Sequence, residues 1–256
     1  MELTHQLTPM LRTLRLSGIL ETLEVRNRQA IEQQSSFVEF LTTLLHDEVE
    51  RRAQRKLRLR LRRAAFDSTK TLEGFDFSFN PKLNKAQVFD LATCAFIERH
   101  ENVLIYGPTG VGKSHLAQAL AHEACRRGYE VLFINTAKML GHLAGGRADG
   151  THEQRLARYT RPALLVLDDF GLKPLRPPGP EDLYDVITER YERASIALTS
   201  NRERSEWPEL FGEALLASAA LDRLTHGAHF VEITGASFRA EHTKKQVTAR
   251  RARAGN

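Results

Sequence analysis

The stretch YGPTGVGKSH at positions 106–115 constrains the fold more than any other part of the chain. It matches the pattern G-x-x-x-x-G-K-[ST] through Gly107, Gly112, Lys113 and Ser114. The apolar run NVLIYG (102–107) precedes it and is typical of a buried parallel strand, while residues 114–128 follow with helical spacing and end at a glycine. A strand, a glycine-rich loop and a helix N-terminus in this order predict an anion-binding loop in an α/β fold.

The residue types of this loop suit a polyphosphate. Glycine lets the backbone come close enough to the ligand for several N–H groups to donate to it. We expect Lys113 to reach the outer phosphates as a point charge and Ser114 to place its hydroxyl on Mg²⁺. The predicted phosphate-loop contacts are Gly107, Pro108, Thr109, Gly110, Val111, Gly112, Lys113, Ser114 and His115.

The chain divides near residue 70. Upstream, the apolar spacing is helical, and a capping box at Ser36 and Glu39 precedes a long stripe. Thr8-Pro9 predicts a helix start, Ser17-Gly18 an interruption, and residues 145–151 a mobile loop. Downstream, strands and helices alternate, which implies a parallel sheet. The predicted domains are a helical region (1–68), a linker with a lead-in helix (69–101), the core (102–240) and a basic, disordered tail (241–256). The later strands are predicted at 130–135, 163–169, 195–200 and 229–234.

Acidic and amide side chains follow two of these strands. Asp168 ends the run ALLVLDD and is predicted to bind Mg²⁺ through water, together with Ser114. Asp169 is predicted to polarise the attacking water as general base. If the strand SIALTS lies between the other two, Asn201 sits beside the γ-phosphate and orients that water. The plainer alternatives are surface aspartates at a strand end and an asparagine that caps the next turn.

A basic run lies between residues 51 and 63, where eight Lys and Arg occur without an acid. Its LRLRLR stretch alternates like a strand, but Ala53, Leu57 and Leu61 form one helical face, so helix is favoured. Uncompensated cations favour a polyanion, as does the net charge of +5; a solvated face or an anionic membrane surface are the alternatives. The predicted DNA contacts are Arg51, Arg52, Arg55, Lys56, Arg58, Arg60, Arg62, Arg63, Lys138 and Arg147, with Arg155 and Arg158 as further candidates.

Two further features bear on the compartment. No apolar run approaches the roughly 20 residues that span a bilayer, so no membrane partner is expected. Cys94 and Cys125 are isolated and are expected to be reduced, buried thiols. The expected localisation is cytoplasmic.

The segments GPTGVGKSH, LLVLDDFG, LTSN, LDRL and GASFR, in this order and spacing, resemble the IstB family. IstB proteins are AAA+ ATPases encoded beside the transposase of an insertion-sequence family, and they are more distantly similar to the helicase loader DnaC and the initiator DnaA. The resemblance implies an AAA+ P-loop NTPase fold with a parallel five-stranded sheet in the order 5-1-4-3-2 and no full lid domain. It also implies ATP and Mg²⁺ as cofactors, ATP hydrolysis, homo-oligomers on double-stranded DNA, and delivery of target DNA to a partner transposase.

Two arginines take their roles from this resemblance. Arg223 in LDRL, which follows a helix expected at about 206–219, matches the arginine finger that reaches the neighbouring subunit's γ-phosphate. Arg239 in GASFR matches the sensor-2 arginine of the same subunit. Most AAA+ proteins end their metal strand in Asp-Glu, whereas this chain has Asp168-Asp169. Because the side chain of Asp169 is shorter, its water must lie closer, or hydrolysis will be slow. We expect adenine contacts from the linker around Phe75 and Phe77.

Three other functions share parts of this pattern. A replicative helicase loader has the same ATPase core, and an ATP-switched DNA scaffold would use the nucleotide with negligible turnover. A small-molecule kinase is disfavoured because no acceptor pocket is recognisable and the basic run would have no role.

Overall fold

A computed structural model of the chain describes residues 2–238. Its contacts divide the chain into two units, Met1–Leu59 and Arg60–Asn256, and the division falls inside one long helix. Arg239 and the basic tail lie outside the described residues. The predicted domain boundaries therefore remain predictions.

The first unit is helical, as predicted. It contains α1 (Glu2–Thr13), α2 (Ser17–Glu32) and most of α3 (Phe37–Ala64), packed around Leu11, Ile19, Leu23 and Leu44. The predicted capping box is confirmed, because the Ser36 N–H donates to Glu39 Oε2 at 2.8 Å and the Glu39 N–H donates to Ser36 Oγ at 3.3 Å. The predicted start at Thr8-Pro9 is wrong: Pro9 lies inside α1, which continues through it despite the missing N–H donor.

Close packing within this unit explains one glycine. The Gly18 N–H donates to the buried carboxylate of Glu48 at 2.6 Å, and Arg52 Nε donates to the same carboxylate at 2.7 Å. A Cβ on Gly18 would lie 2.7 Å from Glu48 Cα. Gly18 is therefore required where α2 crosses α3.

The second unit is an α/β core. Its strands are β1 (Val103–Tyr106), β2 (Val131–Asn135), β3 (Leu164–Phe170), β4 (Ser195–Ser200) and β5 (His229–Glu232). Its helices are α4 (Lys85–Ala92), α5 (Ala95–Glu98), α6 (Lys113–Arg127), α7 (Thr136–Asp149), α8 (His152–Thr160), α9 (Gly179–Arg190) and α10 (Ala214–Thr225). All five predicted strands and the helix after the glycine loop are confirmed.

The five strands form one parallel sheet in the order β2-β3-β4-β1-β5. This confirms the predicted order. The carboxyl ends of β1, β3 and β4 are neighbours, so the residues that follow these strands lie close together. The central strands β1, β3 and β4 are mostly buried, as a parallel sheet covered by helices requires, whereas the edge strands β2 and β5 are only partly buried.

Two local predictions in the core are wrong. Residues 145–149 belong to α7, which ends at a left-handed Gly150, so the predicted loop 145–151 is mostly helical. A helix expected at about 206–219 is replaced by two 3₁₀ turns, Arg204–Glu206 and Pro208–Leu210, followed by α10. The buried Trp207 packs against Phe170 between these turns, which fixes the irregular path.

Both cysteines are free and buried, as expected. Burial raises the pKa of each thiol to about 11. Among the described residues, no helix has the length and apolar character required to cross a bilayer.

Candidate active site

The loop between β1 and α6, residues 107–114, is called the phosphate loop below. Gly107, Gly110 and Gly112 have φ values of 140°, 86° and 103°, which favour glycine. A Cβ on Gly107 would lie 2.0 Å from the carbonyl oxygen of Ile233. The loop therefore requires glycine both for its backbone conformation and for its contact with the chain after β5.

Lys113 is the first residue of α6 and is only 6% exposed. Its Nζ donates to the carbonyl oxygens of Gly107 at 2.8 Å and Pro108 at 2.6 Å. These bonds hold the cation within the loop, at the helix N-terminus where an anion is also stabilised.

Asp168 lies near the end of β3 and receives two hydroxyl groups. Ser114 Oγ donates to Asp168 Oδ1 at 2.7 Å, and Thr199 Oγ1 donates to the same oxygen at 2.6 Å. The predicted pair Ser114 and Asp168 is thus brought together from α6 and β3. Hydroxyl and carboxylate oxygens are ligands that Mg²⁺ prefers, so this donor set fits the metal.

Asp169 is placed by an irregularity in β3. The β3–β4 register shifts between Leu167 and Phe170, and Asp169 has a left-handed φ of 56°. Its N–H donates to Thr199 Oγ1 at 3.0 Å, and Asn135 Nδ2 donates to its carboxylate at 3.1 Å. The bulge turns Asp169 away from the regular alternation of the strand, so both neighbouring acids can serve the same site.

A cavity of about 480 Å³ lies beside these groups, although Asp168 is not part of its lining. Asp169 and Asn201 line it together with residues 109–114 of the phosphate loop, whereas Gly107 and Pro108 do not. β4 lies between β1 and β3. The predicted position of Asn201 beside the phosphates requires this strand order.

Aromatic side chains form another part of the cavity wall. Phe75 lines the cavity and contacts Gly112, whereas Phe77 is absent from the lining and stacks on Phe89 with ring centroids 5.6 Å apart. Of the two aromatics expected near adenine, only Phe75 is therefore at the cavity. His115 also lines it, and burial lowers the pKa of its ring.

Three site residues were missed from the sequence. Thr199 and Asn135 position the two acids, and Asn80 donates to the carbonyl of Val111 at 2.8 Å and so braces the phosphate loop. Thr199 could have been predicted, because it lies near the polar end of the strand SIALTS, which also predicts the role of Asn201. Asn80 carries no such signal, because it lies in an irregular segment far from the loop in sequence.

Comparison with known proteins places this chain in a family. The family described as IstB-like ATP binding protein matches residues 9–246. A protein named as an ATP-binding protein in an insertion sequence of Mycobacterium tuberculosis is 42% identical over 240 residues, which cover 93% of this chain and 96% of that protein. This chain belongs to the IstB-like ATP-binding family. The Pseudomonas aeruginosa protein named as the ATP-binding protein of insertion sequence IS21 is 36% identical, with 94% and 91% of the two chains covered.

Solved structures confirm the AAA+ fold of this IstB-like chain. A crystal structure of the DnaC helicase loader matches with a TM-score of 0.50 and 21% identity, over 58% of this chain and 87% of that one. AMPPCP-bound DnaA from Aquifex aeolicus matches with a TM-score of 0.53 and 23% identity, over 72% of this chain and 56% of that one. At these identities the similarity concerns the fold.

Of the two arginines whose roles are predicted from the IstB family, the structure describes Arg223 but not Arg239. Arg223 lies in the last turn of α10, just before β5, and its Nη1 donates to the carbonyl of Ala219 at 2.8 Å. β5 begins beside Val103, at the amino edge of the sheet, whereas the phosphate loop follows the carboxyl end of β1. Arg239 lies outside the described residues; the preceding residue, Phe238, donates its N–H to the carbonyl of Gly110 at 2.9 Å.

The basic helix of this IstB-like protein is confirmed as a helix, but some of its cations are already paired. Arg51 forms an ion pair with Glu21, and Arg52 with Glu48. Arg147 is exposed, but its guanidinium donates to the buried Asp182 at 2.7 Å and is therefore already engaged. Four exposed residues of α3 and one of α7 have no ion pair with the described residues: Arg55, Lys56, Arg58, Arg62 and Lys138. The assignment of all these residues to DNA remains a prediction.

Proposed function

We propose that this protein is a Mg²⁺-dependent ATPase that acts on DNA in the transposition of an insertion sequence. The observation that carries the proposal is the bonded set of Ser114, Asp168 and Thr199 beside the phosphate loop. This set supplies groups that can hold ATP with Mg²⁺. The family membership, shared with ATP-binding proteins of insertion sequences, supports a role in transposition.

Each side chain of the site would have its own role in ATP binding or hydrolysis. Lys113 would exchange its two loop carbonyls for the phosphates, while the backbone N–H groups of the loop donate to them. Ser114 and Asp168 would hold Mg²⁺, which supplies positive charge to the phosphates when bound. Asp169, oriented by Asn135 and Thr199, accepts the proton of the attacking water, and Asn201 orients that water. The products are ADP and phosphate.

Arg223 would complete the site of another subunit. Its position at the amino edge of the sheet separates it from its own phosphate loop by the length of the four-residue strand β1, roughly 10 Å or more. An arginine delivered by a neighbour typically accelerates NTP hydrolysis by about 10³–10⁵. Turnover would therefore require a homo-oligomer. In the same site, Arg239 is proposed as the sensor-2 residue.

Double-stranded DNA would bind through its phosphates without reading sequence. The exposed cations of α3 supply the contacts, and the assembled protein would remodel or present target DNA to a partner transposase in the cytoplasm. The names of the relatives, all from insertion sequences, support transposition. One matched DnaA structure is described as bound to AMPPCP and single-stranded DNA, which illustrates DNA binding by this fold.

A replicative helicase loader is the second candidate, favoured by the match to the DnaC loader. A loader would bind a hexameric helicase, and it would be encoded beside replication genes. A reading frame for a transposase next to this one favours the first proposal, and a replication operon favours the loader.

Phosphate release with and without duplex DNA tests the activity. We expect DNA-stimulated, Mg²⁺-dependent release by the native chain, and a loss of at least about 10²-fold in Asp169→Asn, the usual contribution of a general base. Nucleotide binding by Asp169→Asn, measured by the fluorescence of a labelled ATP analogue, should stay within a few-fold of the native value. Equal and negligible release by both proteins, with ATP binding intact, would favour an ATP-switched scaffold instead.

A further inference from the structure

Three arginines meet at a notch on the core, away from the nucleotide cavity. Arg60 and Arg63 come from the end of α3, and Arg158 comes from α8; together with Glu130 they line a depression of about 220 Å³. Three guanidinium groups and one carboxylate leave a formal charge of +2 around it. We propose that this notch binds a phosphodiester group of the DNA backbone.

The end of α3 is fixed to the core, so Arg60 and Arg63 have fixed backbone positions. Ala64 is fully buried, and Phe66 packs edge-to-face against Phe133 of β2, with ring centroids 6.4 Å apart. The Asp67 N–H donates to Gln118 of α6 at 3.1 Å. A rigid support of this kind reduces the ordering cost of binding, because the cations are already close together.

Arg60 is oriented by the end of α6. Its Nη1 donates to the carbonyl oxygen of Cys125 at 3.1 Å, one of the last carbonyls of that helix. A guanidinium group has five N–H donors, so this bond orients the group and leaves donors for a phosphate. The negative end of the helix dipole stabilises the arginine where it stands.

Glu130, the one acid among the described residues that line the notch, is weakly engaged. Arg63 and Glu130 are separated by 3.9 Å and are both about three-quarters exposed. A phosphate can therefore compete with Glu130 for Arg63. Arg158 is exposed and makes no ion pair with the described residues, so its charge is available.

Arg155 on the same helix provides a contrast. It donates to the carbonyl of His142 at 2.7 Å and to Thr151 Oγ1 at 2.9 Å, and it forms an ion pair with Asp149. Its guanidinium group is therefore engaged within the core. The two arginines lie three residues apart, carry the same charge and differ in their partners, which makes Arg155 a matched control.

The inference rests on the proposed binding of duplex DNA, and the experiment separates the two. Affinity for a labelled 30-base-pair duplex is measured by fluorescence anisotropy at several salt concentrations, with full-length protein and ATP. For Arg158→Ala we expect about fivefold weaker binding at 0.1 M salt and a log–log salt slope that is less negative by about 0.9, the value for one phosphate contact. Arg155→Ala should keep the native slope, and Glu130→Gln should bind about threefold more tightly.

Two results would contradict different parts of this account. If the unmodified chain binds duplex, and both Arg158→Ala and Glu130→Gln keep its salt slope and affinity, the proposal that the notch binds DNA is overturned, while the DNA function is not. Failure of the native chain to bind duplex at low salt, with ATP present, would overturn the proposed DNA function itself. Thermal melting of each variant checks that the fold is unchanged.

Discussion

Thr199 is a buried residue whose hydroxyl serves both acids of the site. It donates to Asp168 and accepts from the N–H of Asp169, and it is 1% exposed. The change Thr199→Val keeps the shape of the side chain and removes both bonds. The lost bond to a charged group is worth about 2 kcal/mol and the unpaired N–H about 1 kcal/mol, so we expect a loss of about 3 kcal/mol of unfolding free energy.

For a chain of this size such a loss lowers Tm by roughly 6–12 °C, measurable by differential scanning calorimetry. The matched control is Thr199→Ser, which keeps both hydrogen bonds and loses one methyl group, at a cost of about 1 kcal/mol. ATP hydrolysis should fall about tenfold more in the valine variant than in the serine variant, which corresponds to about 1.4 kcal/mol in the barrier. Equal Tm values and equal rates in the two variants would refute the role assigned to the hydroxyl.

Three further predictions address assembly, DNA and acid stability. Arg223→Ala and Lys113→Ala should each abolish turnover, and mixing them should restore a fraction of it, because mixed interfaces pair an intact arginine with an intact phosphate loop; no recovery on mixing would argue against action between subunits. Replacing Arg55, Arg58 and Arg62 together by Ala should make the log–log salt slope of DNA binding less negative by up to about 2.7, whereas replacing the exposed Arg99, Arg176 and Arg193 should leave it unchanged. The hydrogen bond and charge of Arg26 lower the pKa of Asp47 to about 2, so this pair stabilises the fold above the ordinary carboxyl pKa near 4 and loses that effect as pH falls towards 2. Asp47→Asn should therefore flatten the dependence of Tm on pH between 4 and 2, and an unchanged profile would show that the pair contributes nothing.

The parts of the fold that were predicted correctly carry strong local signals. The apolar strand runs, the glycine loop and the capping box at Ser36 each specify their structure through neighbouring residues, and the sheet order followed from the resemblance to AAA+ proteins. Asp168, Asp169 and Ser114 also carry strong signals, because each lies at a strand end or in the motif itself. The structure brings Ser114 and Asp168 together, and the roles of all three at a nucleotide stay predictions.

The errors arise where distant packing decides the backbone. The helix expected at about 206–219 fails because Trp207 is buried against Phe170, a contact between segments far apart in sequence. Residues 145–149 stay helical despite two adjacent glycines, since Gly146 packs against α8 with no room for a side chain. Asn135 could not be assigned to Asp169 before the bulge in β3 was known.

If Arg223 acts between subunits as proposed, its placement at one edge of the sheet and that of the phosphate loop at the other would give each molecule a donor side and an acceptor side. Copies joined through such unlike surfaces stack in one direction, and the chain of contacts either closes on itself or continues as a helix. In an open stack one terminal nucleotide would lack its arginine, so the specific activity would rise with the length of the stack. A closed assembly has no such end, and its activity per molecule is independent of size.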